Sequence, residues 1–205
     1  EYDAVNRRTA MVDALGQRTE YDYDDYDRLI RTVFHDGTYK SAGYDVAGRK
    51  VSETDQEGKT TSFEYDSVGN LVKVIDAMGF ETEYTYDENN NRITQTDANE
   101  HTTVMAYDKH NRLISRTYHN GDQERFGYNA NGNMIYKVTG NDSTAFTYDS
   151  RNRETFRWYS NSGHTLEIKY TAAGKKDTLI DHRGITYYNY NSNGRLEMVI
   201  NPDNT

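Results

Sequence analysis

The residues with the clearest capacity for chemistry are carboxylates: Asp3, Asp24, Asp45, Asp66, Asp87, Asp108 and Asp149, each directly following a tyrosine. Evenly spaced acids could bind calcium or serve as general acid and base. Calcium-binding solenoids, however, carry a Gly-Gly-x-Gly-x-Asp nonapeptide, and this chain has none. Asn129 and Asn191 also occupy the same place without offering a charge. Asp or Asn at the head of a tight turn bonds a backbone N–H two residues on, which accounts for both residue types. Turn capping is the expected role. Paired carboxylates for glycoside cleavage would need a cleft and ~5–10 Å separation, and so regular a sequence singles out no such pair.

The other chemical groups are weaker still. His35, His101, His110, His119, His164 and His182 form no pair four apart on a helix and no Glu-x-x-His arrangement. They read as loop or strand-surface residues rather than metal ligands. No Gly-x-Ser-x-Gly elbow marks a nucleophilic serine. Without cysteine there is no disulfide framework, thiolate zinc site or thiol catalysis. The expectation is a chain with no catalytic, cofactor or metal site. Trp158, the only tryptophan, stands beside Phe156 and Tyr159. Such a cluster could stack on a sugar or a partner protein, but a large ring filling a shift in register is the expected explanation. Arg7, Arg28, Arg49, Arg112, Arg153 and Arg195 recur in step, with Lys175 and three asparagines completing their column. A ladder of like charges repels unless paired, so bonds to the aspartates or to tyrosine faces are expected. The net charge of -9 argues against a nucleic-acid groove.

What must position these residues is a repeat. Tyr2, Tyr23, Tyr44, Tyr65, Tyr86, Tyr107, Tyr128, Tyr148, Tyr170 and Tyr190 are separated by 21 residues six times, then by 20, 22 and 20. Four after each anchor come Asn6, Asp27, Gly48, Gly69, Asn90, Asn111, Gly132, Asn152, Gly174 and Gly194. All are residues that tolerate a left-handed backbone. With the preceding Asp or Asn they spell a type I turn closed by a left-handed residue. Half a repeat later, Gly16, Gly37, Gly58, Gly79, Gly121 and Gly184 mark a second turn, with Glu100, Asp142 and Ser162 as exceptions.

Between the turns lie short segments of strand character. Ten after the anchor stand Val12, Val33, Thr54, Ile75, Thr96, Thr117, Val138, Trp158, Ile180 and Ile200, all β-branched or aromatic. Two before it stand Tyr21, Phe63, Tyr84, Met105, Phe126, Phe146, Ile168 and Tyr188, with Ala42 the small exception. The reading is an all-β antiparallel meander of tandem β-hairpins, about eighteen strands, spanning 1–205. Open sheets rarely exceed ~10 strands without curling or splitting, so a spiral or shell wall is expected. A sheet one layer thick would suit the low hydrophobic share of 34%. No run of ~18 apolar residues exists, so no membrane insertion is expected.

Tyr65-Asp66-Ser67-Val68-Gly69-Asn70-Leu71, Tyr44-Asp45-Val46-Ala47-Gly48-Arg49 and Tyr190-Asn191-Ser192-Asn193-Gly194-Arg195-Leu196 carry a resemblance. They resemble the YD repeat of the rearrangement-hotspot (Rhs) family, which includes bacterial polymorphic toxins, insecticidal toxin-complex shells, wall-associated proteins and teneurins. The resemblance covers the whole chain as about nine repeats. It implies a hollow β-hairpin shell, secreted or at the cell surface of a bacterium, without catalysis of its own. The implied partners are the rest of a longer parent polypeptide and an enclosed toxin or effector domain. An adhesion module binding glycan or a cell-surface protein is the alternative that the resemblance offers. The self-cleaving segment and variable effector domain of the toxins have no counterpart here, and the chain reads as a piece of a longer protein.

Overall fold

The turns and strands fall where the repeat puts them. The structure, a computed structural model, describes residues 1–202 and contains no helix among them. It divides into two compact units, Glu1–Thr102 and the remainder from Thr103. The first holds β1 (Ala10–Val12), β2 (Arg18–Tyr23), β3 (Leu29–Val33), β4 (Tyr39–Tyr44), β5 (Lys50–Thr54), β6 (Thr60–Tyr65), β7 (Leu71–Ile75), β8 (Glu81–Tyr86) and β9 (Arg92–Thr96). β10 (Thr102–Tyr107) starts at the boundary, and the second unit continues with β11 (Leu113–Thr117), β12 (Gln123–Tyr128), β13 (Met134–Thr139), β14 (Asp142–Tyr148) and β15 (Glu154–Tyr159). β16 (Thr165–Tyr170), β17 (Lys176–Asp181), β18 (Gly184–Tyr190) and β19 (Leu196–Ile200) complete it. Within each unit every strand pairs antiparallel with its neighbours in sequence. This is a meander.

All ten residues four after the anchors have positive φ, from 59° at Asn111 to 103° at Gly69. A β-branched side chain resists this conformation, which is why the column holds only Gly, Asn and Asp. The second turn explains the slips in spacing. A typical one spans five residues between paired positions, as between Thr54 and Thr60. In the two 20-residue repeats it shrinks to two, Gly140-Asn141 between Thr139 and Asp142 and His182-Arg183 between Asp181 and Gly184. The flanking strands lengthen to offset most of the loss: β14 and β18 have 7 residues where β6 has 6.

One regularity was invisible in the sequence. From Tyr23 onward, pairing shifts by a residue immediately before every anchor tyrosine: Glu64 faces Lys73 but Tyr65 faces Leu71, leaving Val72 unpaired. The extra residue in successive repeats is Ile30, Val51, Val72, Ile93, Ile114 and Ile135, and later Thr155, Asp177 and Glu197. Such bulges raise local twist and re-aim side chains.

Burial is thin, as expected of a single layer. Among the described residues only Ala10, Met105, Phe126 and Ile168 are buried apolar side chains. Three of these belong to the column two before the anchor. Within each unit contacting strands are always sequence neighbours, so no second layer covers either face. Each hairpin is held by the one before and the one after, as in other quasi-one-dimensional arrays.

Candidate functional site

The repeat-defining residues converge on one device. At Asp45, Oδ1 accepts the Arg49 backbone N–H at 2.9 Å, while Arg49 Nε donates to Oδ2 at 2.7 Å. The left-handed Gly48 brings the chain round so that both can reach. Arg49 then extends forward: its Nη1 donates to the Asp66 carbonyl at 3.1 Å, and its guanidinium lies 4.8 Å from the centre of the Tyr65 ring. Tyr65 points back, its hydroxyl donating to the Lys50 carbonyl at 2.9 Å. Arg49 thus ties its own turn to the next one. Of the two pairings expected for the arginine column, the structure makes both.

The same staple recurs. Arg7, Arg28 and Arg112 donate to the carbonyls of Asp24, Asp45 and Asn129 and cover Tyr23, Tyr44 and Tyr128. Tyr23, Tyr44, Tyr86, Tyr128, Tyr148 and Tyr170 donate to carbonyls in the preceding repeat. Lys175 copies the gesture, donating to the Gly194 carbonyl and lying over Tyr190. Where asparagine replaces arginine, the reach is shorter: Asn70 bonds Asp66 and the side chain of Asn90, and Asn133 that of Asn152. Arg153 covers Tyr170 at 4.1 Å, yet its Nη1 is buried without a bond. That arginine lies in the 22-residue repeat, where the next turn begins one residue later. Tyr2 is an exposed anchor bridged to Arg8, and the Tyr107 hydroxyl lies 4.0 Å from the Met105 sulfur.

The staple sets the electrostatics. The Arg112 side chain, opposed by partial burial and assisted by the N–H groups of His110 and Arg112, lowers Asp108 to about 2. Asp3, Asp24 and Asp149 are lowered for the same first reason, each by its own arginine. Burial raises Tyr86, Tyr128, Tyr148 and Tyr170. A carboxylate kept ionised and saturated with donors is a poor proton shuttle. This chemistry fixes geometry.

The RHS repeat model matches residues 2–38, 44–79, 65–102 and 107–142, well over half of the chain. The chain belongs to the RHS repeat family. No relative is found among curated proteins. Among solved structures it is similar to the TcdB2-TccC3-Cdc42 crystal structure, at a TM-score of 0.65 and 15% identity over 90% of this chain. It is also similar to the Tc holotoxin pore of Photorhabdus luminescens, at 0.67 and 13% over 90%. The TcdB2-TccC3 crystal structure gives 0.57 and 14% over 90%. The chain spans only 12 to 14% of those chains' own length. At such identity the likeness concerns the fold.

Against the RHS pattern the departures become visible, and they cluster in the second unit. Trp158 and Phe156 share one face of β15, with Trp158 38% exposed. Tyr159 lies on the other face, where its hydroxyl accepts from Arg157 at 3.0 Å. The three aromatics that are adjacent in sequence therefore do not form one patch. Sequence reasoning missed Glu124, buried on β12 and held by Lys137 at 2.9 Å, Arg116 at 3.1 Å and the Tyr118 hydroxyl at 3.0 Å. The Lys137 ammonium, opposed by burial and helped by Tyr118, lowers its pKa. A signal did exist: the corresponding positions in other repeats include Thr19, Thr61, Thr82 and Thr103. Also unforeseen is a concavity of about 500 Å³ lined by Tyr159, Leu166, Leu179, Asp181 and Arg183 among others. His164 and His182 also line it, and their rings stack, the centroids 4.2 Å apart and the planes 4° from parallel.

Proposed function

We propose that this chain is a non-catalytic length of scaffold in a larger RHS-repeat protein, secreted or at the cell surface, whose wall encloses or presents a toxin or effector polypeptide. The observation that carries this reading is the forward staple. The ionic and aromatic groups that recur most are engaged in fixing the next repeat rather than converging on a substrate. The likeness to chains in toxin complexes supports it. The partner on this reading is the rest of the parent polypeptide, with the effector domain inside. Electron microscopy of the intact parent protein tests the proposal. A hollow particle with internal density is expected; a solid or fully extended particle overturns it.

A second reading, an adhesion surface for glycan or protein, draws on the exposed Trp158 beside Phe156 on one sheet face. Glycan-array binding that is lost in Trp158→Ala would favour that reading over enclosure.

A further inference from the structure

We propose that His164 and His182 together bind one divalent transition-metal ion of the copper, nickel or zinc type. The inference does not rest on the scaffold reading. It starts from a break in the repeat. In the repeat from Tyr148 to Tyr170 the second turn abandons the Asp-x-x-Gly pattern, in the loop before β16; in the following repeat the pattern stays, as Asp181-His182-Arg183-Gly184, but tightens to a two-residue turn between β17 and β18. Each of these two altered turns carries a histidine at a position whose side chain the turn does not prescribe, His164 in the first and His182 in the second. They are far apart in sequence, but the turns of successive hairpins are neighbours along one edge of a meander. The edge brings the imidazoles together, 4.2 Å between centroids.

Three features suit a metal. Both side chains are exposed, so rotation about their χ angles meets little packing. No ring nitrogen of either histidine is engaged by a protein hydrogen bond among the described residues. Neutral imidazole is the commonest metal ligand, and metal–nitrogen bonds of ~2.0–2.1 Å place two ligating nitrogens on one ion ~3 Å apart. A small turn of each ring from the stacked arrangement reaches that separation. The charged groups facing the pair are Asp181, whose carboxylate borders His182, and Arg183, which donates to Asp181 at 2.7 and 3.1 Å. No group of three or more His, Cys, Asp or Glu able to hold a metal exists among the described residues, so the protein supplies two imidazoles and water completes the shell. Nitrogen ligands of this kind follow the order that favours copper over nickel and zinc.

Calorimetric titration of the tag-free chain with nickel and zinc chloride tests the proposal. Near neutral pH one saturable equivalent is expected. His164→Ala and His182→Ala each abolish it, while His110→Ala, at a different exposed turn, leaves it intact. Far-UV circular dichroism of the variants confirms that the sheet is unaltered. Binding that survives either of the first two substitutions, binding lost with His110→Ala, or no saturable binding at all overturns the inference.

Discussion

An anchor tyrosine such as Tyr65 does two jobs with two parts of one side chain. Its ring is the platform on which the preceding arginine lies, and its hydroxyl satisfies a carbonyl of the preceding repeat. Phenylalanine would keep the first and lose the second. Tyr65→Phe is therefore expected to cost about 1 kcal/mol, the net worth of one partly buried hydrogen bond. Tyr26→Phe, at a residue 78% exposed, should cost nothing measurable. Urea denaturation of the two variants makes the comparison, and equal midpoints would mean that water replaces the Lys50 carbonyl without loss. Glycine shows the same specificity of role. Gly127 lies opposite Tyr136, and a Cβ there would fall within the Tyr136 ring. Composition pointed to none of this at Gly127, because the demand comes from a cross-strand partner. By contrast, the left-handed column from Asn6 to Gly194 was legible at once, since φ sign restricts residue type locally.

At the scale of the hairpin, the turn is where charge enters stability. Asp108 sits at about 2 in the folded chain, below its ordinary value of ~3.9. The folded pKa is the lower one, so this group's contribution is complete above about pH 4 and is lost as pH falls through about 2. Thermal melting followed by circular dichroism should show a midpoint that declines over that window. Asp108→Asn should flatten the decline and lower the midpoint near neutral pH. An unchanged slope would mean that the Arg112 staple adds nothing to the turn. The sequence revealed the turn and its capping aspartate because both obey local rules. It left open whether the arginine met the aspartate or the ring, and it gave no hint of the bulge before each tyrosine. Ile30, Val51 and Val72 look like ordinary strand residues until their partners are known. Glu124 and the His164–His182 pair stayed hidden for the same reason: each is assembled across strands.

Across the whole molecule, contacts within each unit join only consecutive strands. Damage should therefore remain near its source, as expected where stability is a sum of repeat and neighbour terms. Gly69→Val forces a β-branched residue into a φ of 103°. Hydrogen exchange followed by mass spectrometry is expected to quicken in β6, β7 and the strands beside them, while β16 and β17 keep their protection. A uniform rise along the chain would reveal a single cooperative core instead. The direction of the staple has a further consequence. Arg7, Arg28, Arg49 and Arg112 each grip their own aspartate and reach one unit ahead, so among such repeats a segment one period long can be duplicated or excised and the new junction still finds a matching acceptor and ring. Length in such a polypeptide is a freely adjustable quantity, open to change by in-frame recombination without redesign of any joint.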